Sequence, residues 1–267
     1  MTIDVWAQQP NPEFLAQPFF DSLKKWTGMD VEDIPVEYLL QSMDKAGVDS
    51  ALLAAWYGPQ GALISNDQVV DVVSQHPDRF AGLASVDIRD PVAGMAALGR
   101  CVNEHDFRGL RIVQWLWELP CTHALYYPLL AECVRLDVPV CLQVGHTGPL
   151  RSSESGRPSH IERIALDFPD LVIVCGHIGY PWTTEMIAVA TKFPNVYIDT
   201  SAYVPRRYPP ELVAYMKGHG RQKVMFGTNY PMITPDVCME QLALLELDEE
   251  TRACFLHRNA AGVFKFD

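Results

Sequence analysis

Two histidines leave apolar runs through glycine-marked turns, and they are the side chains in this sequence best suited to acid–base work. Leu171-Val-Ile-Val-Cys-Gly-His177-Ile-Gly-Tyr-Pro-Trp182 delivers His177 from a run without polar alternation, the pattern of a strand buried on both faces of a parallel sheet. Val138-Pro-Val-Cys-Leu-Gln-Val-Gly-His146-Thr-Gly repeats the arrangement about 30 residues earlier, the span of one strand–helix–strand unit. Both histidines therefore emerge at the same sheet edge. An imidazole there is tuned across neutrality by small changes in surroundings. His177 reads as a general acid or base, and His146 as a second proton carrier or a donor to a developing oxyanion.

Other polar and aromatic residues fall at strand ends and join the candidate site. Arg111 could clamp a substrate carboxylate through its planar fork, or pair with a structural carboxylate. Asp199 could orient a histidine or a substrate hydroxyl, or accept local backbone hydrogen bonds. Trp6, Gln8, Gln143, Asn229 and Trp182 are candidates for substrate binding. Several aromatics beside a few convergent polar groups suit a flat, conjugated or aromatic carboxylate. The remaining histidines, 76, 105, 123, 160, 219 and 257, fall in helices or connecting loops and are given no role.

The elements that position these residues alternate along the chain. Strands are expected at Thr2–Trp6, Val48–Trp56, Phe80–Val86, Gly109–Val113, Val138–Val144, Leu171–Cys175, Asn195–Thr200 and Lys223–Phe226. Helical patterns separate them, as in Val36, Leu39, Leu40 and Met43, spaced i, i+3, i+4, i+7 and stopped by Gly47. The last helix is expected over Glu249–Leu256. Eight strands alternating with helices and no internal boundary predict one α/β domain, a (β/α)8 barrel over residues 1–267. A doubly wound open sheet is the alternative, but no G-x-G-x-x-G follows an early strand. The stretch at about 8–35 is long enough to form a lid.

With 48% hydrophobic and 20% charged residues, the chain supports a sizeable core. The net charge of -12 argues against nucleic acid or an anionic membrane as partner, since either needs a basic footprint. No apolar run approaches the length of a membrane span and no signal-like segment opens the sequence, so a soluble, cytoplasmic protein is expected. Seven cysteines without a C-x-x-C pair fit a reducing compartment. Cys141 and Cys175, inside apolar strands, read as small hydrophobes.

In these motifs the chain resembles the amidohydrolase superfamily, and within it the branch of aminocarboxymuconate-semialdehyde decarboxylase and the resorcylate-type decarboxylases. The resemblance runs through Ile3-Asp-Val, Gly145-His146, Cys175-Gly-His177-Ile-Gly, Asn195-Val-Tyr-Ile-Asp-Thr-Ser201, Phe226-Gly-Thr-Asn-Tyr-Pro231 and Asn259-Ala-Ala-Gly-Val-Phe264. In that family a His-x-His on the first strand, a histidine after strand five and an aspartate after strand eight hold metal. The resemblance sets Trp6 and Gln8 on the His-x-His and Asn229 on the aspartate, leaving His146. An indole does not coordinate a cation, and the two amides offer only neutral oxygens. The expectation is therefore no cofactor; the alternative is zinc or manganese held weakly by His146 and His177 with Gln8 and Asn229. The resemblance implies an enzyme that hydrolyses or decarboxylates a small cyclic or aromatic carboxylated substrate, acting as a homodimer. A metal-dependent enzyme with a degenerate zinc site and a non-catalytic ligand-binding descendant are the alternatives.

Overall fold

The computed structural model describes residues 1–28 and 31–266. Among these residues ten short strands form, named in chain order: β1 (Ile3–Ala7), β2 (Ser50–Ala54), β3 (Trp56–Gly58), β4 (Gly61–Ile64), β5 (Phe80–Ala84), β6 (Phe107–Ile112), β7 (Val140–Gln143), β8 (Ile173–Gly176), β9 (Val196–Asp199) and β10 (Val224–Met225). Eight of them make one parallel sheet in the order β1-β2-β5-β6-β7-β8-β9-β10. The sheet closes on itself. Val5 N–H donates to the Phe226 carbonyl at 3.0 Å, Asn229 N–H to the Trp6 carbonyl at 2.7 Å, and Ala7 pairs with Tyr230. Every residue of β1, β2 and β5 is buried, as a barrel covered outside by helices and filled inside by side chains requires. The protein is a single (β/α)8 barrel.

The helices follow local chemistry. Ser65 caps Asn66–Gln75 in a reciprocal box with Gln68, satisfying backbone donors that the helix itself leaves unpaired. Gly47 takes φ 67° just past Val36–Ala46, a left-handed stop that glycine adopts without a side-chain clash.

Two stretches depart from the sequence expectation. Val48–Trp56 divides: β2 ends at Ala54, and Trp56 opens the antiparallel hairpin β3–β4. The second is the terminal helix, which continues through a π-turn at Cys254–Arg258 into Asn259–Phe264. There Asn259 Nδ2 donates to the Arg221 and Val224 carbonyls at 2.9 and 2.8 Å. In the stretch read as a lid, short helices at Pro12–Leu15 and Asp21–Thr27 flank a 3-10 turn at Pro18–Phe20; its Met29 and Asp30 lie outside the described residues. Among the described residues, no helix is long and apolar enough to cross a membrane. All seven cysteines are unpaired and buried.

Candidate active site

His177 stands where β8 ends. Its backbone leaves the strand through three successive left-handed residues, His177 (φ 73°), Ile178 (φ 55°) and Gly179 (φ 72°). Only the glycine takes this conformation freely; the other two cost about 1–3 kcal/mol each, strain of the kind that gathers at functional sites. The turn leaves the imidazole 5% exposed. Its Nδ1 lies 2.7 Å from Ser201 Oγ. Ser201 donates its hydroxyl to Asp199 Oδ2 at 3.1 Å and its backbone N–H to Oδ1 at 2.7 Å. Because β8 and β9 are paired, His177, Ser201 and Asp199 form a chain of hydrogen bonds from one strand end to the next.

Burial sets the charges in this chain. It raises the Asp199 carboxyl to about 7, against the Ser201 hydrogen bonds and the field of Arg111. Burial, aided by Arg111, lowers His177 to about 3. The ring is therefore neutral near physiological pH, and the hydrogen-bond chain selects its tautomer. With Asp199 ionised, Ser201 donates to the carboxylate and accepts from Nδ1–H, which leaves a lone pair on Nε2. With Asp199 protonated the donors reverse, and Nε2 carries the proton.

Beneath His177 lies Trp6, 1% exposed, its ring edge-on to the imidazole at 5.0 Å between centroids. The indole fits because β8 ends in glycine: a Cβ on Gly176 would sit 2.5 Å from Trp6 Cζ3. The guanidinium of Arg111 stacks on the indole, 3.3 Å from the ring centroid. It is fully buried, and none of its nitrogens has a hydrogen-bond partner among the described residues. Burial lowers it to about 10, opposed by Cys141, Asp199 and Asp4, so it stays charged at neutral pH. Arg111 thus sits under the floor of the site, covered by Trp6, where it does not reach a substrate carboxylate.

Gln8 and Asn229 meet at the junction that closes the barrel. Gln8 Nε2 donates to Asn229 Oδ1 at 3.3 Å and to the Tyr230 carbonyl, while Gln8 Oε1 is buried without a partner among the described residues. Asn229 takes φ 68°, a conformation asparagine tolerates better than most residues. Gln143, 6% exposed, accepts from Trp115 Nε1 at 2.6 Å.

Above these residues opens a cleft with about 1250 Å³ of empty space, part of it open to solvent. His177, His146, Gln143 and Asn229 all line it. His146 is exposed on its rim. Asp199 reaches the cleft only through Ser201. Trp182 is not among the lining residues; it packs under Arg157, 5.4 Å from ring centroid to guanidinium, at the start of the helix Thr183–Lys192. The sequence reading did not select Phe20 or Arg206 and Arg207, which line the wall. The pair of adjacent arginines soon after a strand end, in so acidic a chain, was the available signal.

The amidohydrolase family model matches residues 3–266. A gamma-resorcylate decarboxylase of Rhodococcus jostii (strain RHA1) is 23% identical over 95% of this chain and 93% of its own. A 2-amino-3-carboxymuconate-6-semialdehyde decarboxylase of Dictyostelium discoideum is 28% identical over 85% of this chain and 76% of its own. Among solved structures, a dihydroxybenzoic acid decarboxylase from Polaromonas sp. JS666, with bound manganese and the inhibitor 2-nitroresorcinol, matches with a TM-score of 0.78 at 20% identity, covering 99% of this chain and 96% of that one. Manganese in such a relative overturns the expectation of no cofactor. The physical reason is that an amide in place of a histidine or a carboxylate weakens a donor set without abolishing it, since its oxygen, though neutral, still offers lone pairs. With the matches running the length of the barrel, the chain belongs to the amidohydrolase family, as an enzyme of its hydrolase or carbon–carbon lyase kind.

Proposed function

We propose that this chain removes CO2 from a small aromatic carboxylate in the cleft, with His177 carrying the proton that takes its place. The observation behind this reading is a neutral, buried imidazole, fixed at Nδ1 by Ser201, bordering a cleft walled by Phe20, Trp56, Trp115 and Tyr203. The aromatic walls bind a flat ring by its faces and edges. His177 Nε2–H protonates the ring carbon that bears the carboxylate. The carbon–carbon bond then breaks, its electron pair returns to the ring, and CO2 departs. As Nε2 gives up its proton, Nδ1 takes one from Ser201, and Ser201 takes one from Asp199. No buried imidazolium forms, and Asp199 ends as the carboxylate. Phe20 and Leu23 belong to the stretch read as a lid, which excludes water from the bound ring.

Manganese, when bound, supplies a Lewis acid for substrate oxygens. His146, Gln8 and Asn229 would hold it, the unpartnered Oε1 of Gln8 being the buried atom free to coordinate. Among the described residues no three His, Cys, Asp or Glu side chains converge on a metal position. The donors present therefore fit a loosely held ion that exchanges during purification.

CO2 release from 2,6-dihydroxybenzoate, a ligand of a solved decarboxylase of the same fold, and from related hydroxylated benzoates tests the reading with added manganese. His177→Asn is expected to lower kcat by about 10²- to 10⁴-fold with KM changed only a few-fold. Unchanged kcat in the variant would remove His177 from the mechanism. Absence of CO2 from every hydroxylated aromatic carboxylate tried would sink the lyase reading.

A further inference from the structure

Beneath the floor of the cleft, the barrel core holds three groups able to carry charge: Asp4 on β1, Arg111 on β6 and Asp199 on β9, all fully buried. Asp4 accepts from the backbone N–H groups of Trp6 and Thr228 at 3.1 and 3.0 Å and from the Thr228 hydroxyl. Asp199 accepts only from Ser201 among the described residues. Arg111 is stacked on Trp6, and no described side chain accepts from its nitrogens. Its charge is therefore not tied up in a contact pair, and acts at a distance on everything around it. Against the burial that raises both carboxyls, it favours the ionised forms of Asp4 and Asp199. Added to the burial that lowers His177, it disfavours an imidazolium. Cys141, the other titratable group facing it, is kept a thiol by burial.

The proton relay moves negative charge toward this cation. Before reaction the anion is the substrate carboxylate, and Asp199 holds a proton. His177 Nε2 gives its proton to the ring carbon, Nδ1 takes one from Ser201, and Ser201 takes one from Asp199. The carbon–carbon bond breaks and CO2 leaves uncharged. One negative charge has thus gone from the cleft to Asp199. A proton from water, entering at Nε2 and passed back along the same bonds, resets the chain. A group that favours the final position of that charge over its starting position lowers the barrier, because it binds the transition state better than the ground state. A fixed cation in a core without water does this with little screening and no reorganisation. A guanidinium keeps its proton there.

We propose that Arg111 is a positioning residue, the fixed counter-charge for the carboxylate that forms on Asp199 as the relay delivers its proton. The assignment rests on the decarboxylase reading above. It gives Trp6 a second task. By covering Arg111, the indole keeps the guanidinium from pairing with the substrate carboxylate, which would hold the ground state instead.

The test uses Arg111→Met, which removes the charge but keeps a side chain of similar length against Trp6, and Arg111→Lys, which keeps the charge without the planar fork. Thermal melts and tryptophan emission check the packing of the floor, and Arg111→Gln replaces Arg111→Met if the latter does not fold. CO2 release from 2,6-dihydroxybenzoate with added manganese is followed at pH 6, where Asp199 starts protonated because its folded value is about 7. Arg111→Met is expected to lower kcat about 10- to 100-fold with KM held within about twofold, and Arg111→Lys to regain most of that loss. Unchanged kcat in Arg111→Met, or equal losses in both variants, overturns the assignment. A second readout needs no turnover: nitrogen-15 NMR of the His177 ring at pH 8, without added metal. There the unaltered chain has Asp199 ionised and the ring proton on Nδ1. Arg111→Met is expected to leave Asp199 protonated and to move the ring proton to Nε2. A ring that keeps its proton on Nδ1 in Arg111→Met overturns the assignment, whether or not CO2 is formed. A reversed tautomer with no CO2 from any of the proteins supports Arg111 as the counter-charge of Asp199 and sinks the decarboxylase reading alone.

Discussion

Asp199 shows how burial, not a formal partner, sets the behaviour of a residue. Its carboxyl sits at about 7 rather than 3.8 because water is excluded from it, and among the described residues it makes no ion pair to offset that loss. A carboxyl whose folded-state value is raised contributes stability below its unfolded value, and that contribution fades as pH climbs through the folded value. Asp199→Asn removes the titration. Between pH 5 and 8 the unfolding free energy of the variant should therefore gain about 2–3 kcal/mol on that of the unaltered chain, as read by urea titrations at several pH values. A constant difference across that range would show that Asp199 is ionised throughout. His177 and His146 were legible in the sequence because an apolar run ending in Gly-His marks a strand mouth. Arg111 was legible as a strand-end cation, but its place beneath Trp6 was not. β1 and β6 are not neighbours in the sheet, and nothing in a linear pattern pairs side chains across a barrel.

At the scale of elements, β8 and β1 are matched by one missing methyl group. Gly176→Ala would place a Cβ 2.5 Å from the Trp6 ring, and the indole, pinned below by Arg111 and above by His177, has little room to yield. A loss of about 1–3 kcal/mol from overpacking is expected, with a change in tryptophan emission as Trp6 is displaced; unchanged stability and emission would mean that the floor is loosely packed. Most strands were readable because parallel strands covered on both faces write continuous apolar runs. Their ends were less so. Trp56-Tyr-Gly continues the apolar run of β2 without a break, so no residue pattern marks the point at Ala55 where the chain turns into a hairpin. That hairpin is what brings Trp56 to the cleft wall.

For the molecule as a whole, closure of the barrel depends on its last strand, only two residues long, Val224–Met225. The terminal helix braces it through Asn259, whose Nδ2 satisfies carbonyls on either side of the strand start. Asn259→Ala leaves both carbonyls without that donor and is expected to cost about 2–3 kcal/mol. Denaturation should remain a single cooperative transition, because the eight strands share one core; two separated transitions would mean that the final unit unfolds alone. Counting strands in the sequence was enough to predict the barrel, since eight strand–helix units with no boundary have few other ways to cover their apolar faces. The brace was invisible there because it joins a helix to carbonyls some 35 residues away.

The stack of Arg111, Trp6 and Gly176 also constrains how this barrel can change. A smaller ring at position 6 would uncover a buried guanidinium that has no hydrogen-bond partner among the described residues, and a larger residue at 176 would evict the indole before any replacement was in place. Substitutions at these three positions are therefore epistatic: each is harmful on the background of the other two. An evolutionary or engineered path that reopens the floor must alter Arg111 first or move several residues together. Libraries that randomise position 6 alone should return mostly tryptophan.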